Sequence, residues 1–230
     1  MGDGRLDDAR PDNAGVDDAG ERLAAEIATL RESSQRALAT GSLARASHLS
    51  FSLGSRLVEV GDHSGAEAAY RHAVVLADLA GGDDPEVVLA AYRSLVRFLE
   101  PSEEAVELAE DLLWILKEVD PTRHVMRLAE AEECLAHALL RHAIVEPGTV
   151  DHALRVAALT IEDLEVTCSH GSVRSLQLLV ADALRSAGRE AAAAGWQADA
   201  DKYGERCDVM VQEIPGHVHL WDVVVGGGAQ

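Results

Sequence analysis

The 230-residue sequence predicts an all-α fold of stacked antiparallel helix pairs, and three observations carry that expectation. Apolar residues recur at intervals of three and four, as in Leu108, Leu112, Ile115 and Val119, and again in Val125, Leu128, Ala131, Leu135 and Leu139. Turn residues interrupt these periodic segments at short intervals, at Gly61-Asp62, Asp84-Pro85, Asp120-Pro121 and Pro147-Gly148. Small residues, Gly54, Ala66 and Ala73, stand where two neighbouring helices would have to touch. No stretch alternates for long in the manner of a half-buried strand.

The elements follow from this punctuation. A leading helix is expected near 20–40, then eight more near 43–60, 64–80, 85–99, 103–119, 122–145, 150–168, 172–187 and 189–212. Ser42, Ser102 and Thr149 are N-cap candidates for three of them, since a side-chain oxygen there can accept from an orphan backbone N–H. Asp84-Pro85 and Asp120-Pro121 each join a capping acceptor to a proline at the first helical position, where the missing N–H costs nothing. The helix at 64 can start with a Ser64–Glu67 capping box or with Asp62 as the cap. Eight helices make four pairs, and connections of a few residues force neighbours antiparallel.

The stretch LSFSLGSRLVEVGDHSGAEAAYRHA, residues 49–73, resembles the tetratricopeptide repeat (TPR). In that motif Gly54 lets the second helix approach, Ala66 fits against the first helix, and the aromatic Tyr70 closes the pair. The position of Ala66 returns at Ala105, Ala153 and Ala193, at steps of 39, 48 and 40 residues, against a family period of about 34. Ser50 stands where the family has Trp, Asp78 where it has Pro, and Arg93 and Arg141 where it has the small residue.

The resemblance implies a TPR-like α-solenoid over residues 20–212: the leading helix followed by a right-handed superhelix of about four helix pairs. It further implies a concave groove lined by the first helix of each pair. The residues it places there include His48, Phe51 and Ser55 from the first pair, Arg97 and Phe98 from the second, His142 from the third, and Asp182 and Arg185 from the fourth. Arg97, His142 and Arg185 would form a polar ladder suited to a carboxylate or an acidic peptide, because guanidinium forks match carboxylates. The function implied is a non-catalytic adaptor or regulator that grips a protein or peptide partner. A peptide- or small-molecule-responsive sensor gated by the C-terminal tail is the second reading, and an enzyme using His137 or His142 as a base in the groove is the third.

Composition narrows the partners. The formal net charge is −20, from 40 acidic and 20 basic residues, and such a field repels phosphate backbones. With no basic patch apparent, nucleic acid is not an expected partner. The basic residues are 18 Arg and only two Lys, Lys117 and Lys202, which together with abundant Ala suggests a GC-rich bacterial gene. Residues 1–19 hold six Asp and few large apolar groups, and are expected to be a disordered acidic arm without a targeting signal. Apolar runs are too short to cross a bilayer, so no membrane association is expected. Cys134, Cys168 and Cys207 are odd in number and far apart, which points to buried thiols in a reducing cytoplasm.

Catalytic and cofactor motifs are missing from the sequence. There is no Walker loop, no G-x-S-x-G, no C-x-x-C and no H-E-x-x-H. No His follows a Glu by three residues, as the di-iron sites of helical bundles require. Glu133, Cys134 and His137 form the densest polar cluster and are expected to be an exposed Glu–His pair beside a buried Cys. His217 and His219 supply two imidazoles on one side of an extended segment, short of a metal site. Neither a metal nor a cofactor is therefore expected. Residues 213–230 depart from the helical pattern, with Pro215-Gly216 followed by a β-prone apolar run. This tail is expected to cap the open end of the array, to block the groove, or to swap between subunits as a homodimer contact.

Overall fold

The structure, a computed structural model, describes residues 14–81, 84–119, 125–166 and 169–213. All regular elements among them are helical: α1 (Ala14–Ala39), α2 (Leu43–Glu59), α3 (His63–Leu79), α4 (Pro85–Phe98), α5 (Glu103–Val119), α6 (Val125–Val145), a 3-10 turn (Pro147–Thr149), α7 (Val150–Val166), α8 (His170–Ser186) and α9 (Glu190–Glu213). The expected eight helices and leading helix are all present. Helix α1 begins at Ala14, inside the segment expected to be a disordered arm. The rest of the arm, Cys168 and the apolar tail with His217 and His219 lie outside the described residues.

The turns explain the regular helix lengths. After α2 the chain enters a left-handed conformation at Gly61 (φ 76°), and the amides of Gly61 and Asp62 bond back to the carbonyls of Val58 and Leu57 at 3.0 and 2.9 Å. Such a turn satisfies orphan carbonyls at the helix end and needs a residue without Cβ. The same bonding returns after α1 at Gly41 and after α8 at Gly188. Asp62 then caps α3, its Oδ1 accepting from the Gly65 amide at 2.9 Å, while the Ser64 hydroxyl donates to that oxygen at 3.4 Å. Ser102 caps α5 by accepting from the Ala105 amide (3.3 Å), and Asp84 caps α4 by accepting from the Glu86 amide (3.2 Å). The side chains of Ser42 and Thr149 do not cap; the Thr149 hydroxyl donates to the Glu146 carbonyl instead.

The helices form two compact units, Met1–Phe98 and Leu99–Gln230. In the first, α2 packs on α1, α3 and α4. Its closest approach is at Gly54, where an added Cβ would lie 2.7 Å from two ring carbons of Tyr70. Ala46, Ala66 and Ala73 are fully buried around this contact. Polar ties cross the same interfaces. Ser47 donates to the Ala73 carbonyl (2.7 Å), and Ser50 shares hydrogen bonds with Ser34 on α1 (3.1 Å) and with Nδ1 of His72 on α3 (3.4 Å). The hydroxyl at 50, where the resembled family has an indole, thus links three helices. Asp78, which replaces a Pro of that family, accepts from the Tyr92 hydroxyl at 2.9 Å and ties α3 to α4.

In the second unit, Leu140, Leu176, Leu184, Val173 and Val180 form a core in which Ala136, Ala143, Ala153, Ala157, Ala181 and Ala183 are fully buried. Alanines at facing positions let helices approach without voids. Arg141 takes the place of a small residue by pointing its guanidinium out of this core, donating from Nη2 to the Leu99 carbonyl at 2.9 Å. The Tyr203 hydroxyl donates to Glu165 at 2.7 Å and joins α9 to α7. No helix among the described residues is long and apolar enough to cross a membrane.

The two alanine substitutions Gly54→Ala and Gly195→Ala should change stability in opposite directions. In the middle of a helix alanine is favoured over glycine by about 1 kcal/mol. At Gly195 a Cβ meets nothing within 4 Å, so the melting temperature should rise. At Gly54 the Tyr70 ring must move out of a packed site, an overpacking cost of about 1–3 kcal/mol, and the melting temperature should fall by several degrees. Thermal unfolding followed by circular dichroism checks both signs.

Candidate functional site

The first unit collects ring systems and hydroxyls along one strip. On α2, His48, Phe51 and Ser55 are spaced by three and four residues and share a face. His48 meets Phe51 edge to face, with ring centroids 5.7 Å apart and planes at 86°. The Ser55 hydroxyl shares a hydrogen bond with the Tyr70 hydroxyl on α3 (3.2 Å). The Tyr70 ring, which is buried, meets Phe98 at the end of α4 with centroids 5.3 Å apart. Phe98 in turn stacks on His63, at the start of α3, at 6.3 Å and 29°. Phe51, Ser55 and Phe98 are half-buried, and His48 and His63 are exposed. The strip therefore sets the half-buried Phe51 and Phe98 rings and two exposed imidazoles around a buried Tyr70 ring that packs on Gly54 and is hydrogen-bonded to Ser55.

Four of the residues that the resemblance placed on a groove, His48, Phe51, Ser55 and Phe98, are brought together here. Arg97 is exposed in the last turn of α4, where a cation complements the negative end of the helix dipole. Tyr70 and His63 complete the strip, and sequence reasoning missed their place in it. The available signal was that residue 70 is Tyr rather than Phe: a buried phenol requires a partner for its hydroxyl. His63 had no signal, because its position is set by the Gly61 turn.

In the second unit Asp182 and Arg185 lie one turn apart on α8 and form an ion pair, and Arg185 also donates to Oε1 of Gln197 on α9 at 3.0 Å. Gln197 continues to Asp201 at 3.2 Å. The Arg185 guanidinium thus already has intramolecular acceptors. His142 on α6 is half-buried, and no hydrogen bond or ion pair joins it to Asp182 or Arg185. Of the residues expected to form a polar ladder, Arg97 lies in the first unit and His142 and Arg185 in the second.

The Glu133–His137 pair differs from its expected exposure. Glu133 is buried and His137 half-buried, with Nε2 and Oε1 3.8 Å apart, and Cys134 beside them is buried. Helix α6 packs on α5, α7 and α8, so more of its circumference is covered than an outer helix would show. Among the described residues there is no group of three or more His, Cys, Asp or Glu placed to hold a metal ion. Next to this pair, burial pushes the Glu132 carboxyl above its ordinary pKa; Lys117 opposes the shift and Asp163 adds to it.

No family model matches the sequence, and no curated protein matches it. Solved structures do match. A crystal structure of nearly identical TPR-like repeats, from a Podosopora anserina protein assigned as a kinesin light chain, superposes with a TM-score of 0.53 at 17% identity, over 81% of this chain and 96% of that one. BtubC from P. vanneervenii is similar over 81% of this chain and 92% of its own, with a TM-score of 0.41 at 16% identity. The likeness to the TPR-like repeats is one of fold, and it shows a TPR-like helical-repeat fold for this chain.

The raised pKa of Glu132 gives a pH dependence with a defined sign. A carboxyl that is harder to ionise in the folded state contributes stability below its ordinary pKa and loses it as pH rises through the folded value. Glu132→Gln should therefore raise the melting temperature at pH 7, by a few degrees or less, and the gain should vanish near pH 4. Melting curves of both proteins across that range test it.

Proposed function

We propose that this chain is a non-catalytic protein-interaction scaffold, and that the strip formed by His48, Phe51, Ser55, Tyr70, Phe98 and His63 takes a short extended segment of a protein partner. The observation that supports this is the combination of half-buried Phe51 and Phe98 with exposed imidazoles at both ends, built on a buried and hydrogen-bonded tyrosine. Rings held in place lose little conformational entropy when a partner binds, and aromatic anchors dominate protein interfaces. The TPR-like fold accords with this reading, since stacked helical repeats offer extended surfaces rather than enclosed pockets. The chain's strong negative charge favours protein over nucleic acid as the partner.

The test is selection from a displayed random-peptide library with the whole chain, followed by titration of the enriched peptides. Enriched sequences should carry apolar or aromatic residues at alternate positions. Phe98→Ala should weaken binding about tenfold or more, as expected for a loss above 1.4 kcal/mol at an anchor, and Phe51→Ala should act in the same direction. Arg185→Ala, in the other unit, should leave affinity unchanged. Failure to enrich any sequence, or equal affinity in the Phe51 and Phe98 variants with helical circular dichroism intact, would overturn the assignment.

A further inference from the structure

The overall charge of −20 is not spread evenly. Over α1 and α2, residues 14–59, five arginines nearly balance six acids, and Arg36 and Arg45 stand on either side of the turn between the helices. Arg56 is engaged with Glu26 and Glu59 at 3.2 and 2.8 Å. Arg36 and Arg45 instead line one cavity of about 230 Å³ at the α1–α2 turn, together with Ser33, Ala37 and Thr40. A sequence average hides this group because α1 and α2 must fold against each other to bring the two arginines to one place.

Three features mark the cavity as one built for an anion. Arg45 has no ion-pair partner among the described residues, although it sits in the first turn of α2, where a cation is disfavoured by the helix dipole and where no acid offsets it. Arg36 is held only by Glu32 through an i,i+4 pair whose side chains are 68% and 71% exposed, a contact of the kind that contributes little and exchanges readily. The Ser33 hydroxyl is half-buried and makes no hydrogen bond among the described residues. Thr40 shapes the lip rather than binding: its hydroxyl donates to the Ala37 carbonyl at 2.9 Å.

We infer that this cavity binds a phosphate group, with the guanidinium groups of Arg45 and Arg36 and the Ser33 hydroxyl as donors. A carboxylate has two oxygens and one charge, which a single guanidinium fork satisfies. A phosphate has three terminal oxygens and a charge near −2, which together call on both arginines and the hydroxyl. The volume is below that of a drug-sized pocket and suits a phosphate with the first atoms of whatever carries it. The phosphate can be free or carried on a partner's phosphorylated side chain. This site is separate from the aromatic strip, and its test does not depend on that assignment.

The experiment is isothermal titration of the whole chain at fixed ionic strength with inorganic phosphate, with a phosphoserine peptide and its unphosphorylated form, and with acetate. Phosphate should bind saturably at one site. Arg45→Ala should weaken it about tenfold or more, and Arg45→Lys, which keeps charge but loses the fork, should weaken it less. Glu32→Gln, which removes the competing carboxylate, should strengthen it, by about two- to fivefold if the exposed pair is of ordinary strength. A gain of affinity is a result that damaged folding does not produce. Tighter binding of the phosphopeptide than of its unphosphorylated form or of inorganic phosphate would place the group on a partner; equal or tighter binding of inorganic phosphate would indicate a free phosphate. The inference is overturned if neither phosphate form binds, if acetate binds as tightly, or if Arg45→Ala leaves phosphate affinity unchanged.

Discussion

The approach of α3 to α2 at Gly54 is the constraint on which most of the first unit rests. Two carbons of the Tyr70 ring occupy the space a Cβ would take, so the ring lies directly on the backbone of α2. From there its hydroxyl reaches Ser55 and its far face meets Phe98. One close contact thereby fixes the spacing of two helices, buries a large aromatic, and sets the floor of the aromatic strip. Packing at crystal-like density leaves little slack, so a methyl group at 54 would press on the same ring that meets Phe98.

Polar groups do in this protein some of the packing work that large side chains do elsewhere. Aromatic residues are 3% of the sequence, and alanine fills many of the fully buried positions. Cores made of alanine bring helices close but give little surface per residue. Ser47, Ser50 and Asp78 supplement this with bonds between helices, each satisfying a group that would be costly to bury alone. The two substitutions at 50 and 78, which depart from the resembled repeat, are therefore compensated locally and leave the helix pairing intact.

Electrostatics divides the surface in a way that the net charge does not convey. Acidic residues outnumber basic ones two to one in the chain as a whole, yet over α1 and α2 five arginines nearly balance six acids. An anion-binding cavity on an otherwise acidic molecule is selective by its surroundings, because a small phosphate is screened from acids more than about one Debye length away while an extended polyanion must pass close to them.

Helix positions and the small-residue contacts were legible in the sequence because they depend on local rules. Periodicity of three and four, capping residues and left-handed glycines act over a few residues, and all eight expected helices with the leading helix lie within a few residues of their predicted bounds except at Ala14. That His48, Phe51 and Ser55 share one face of α2 was also legible, through helical spacing. What only the tertiary structure decided involves residues far apart in the chain. It joined Tyr70 and His63 to Phe98, gave the Arg185 guanidinium to Asp182 and Gln197, buried Glu133, and set Arg36 beside Arg45. A helix's own sequence specifies which residues share a face, but which neighbour covers that face, and hence whether a charge is buried, paired or left to bind something else, depends on how the helices pack.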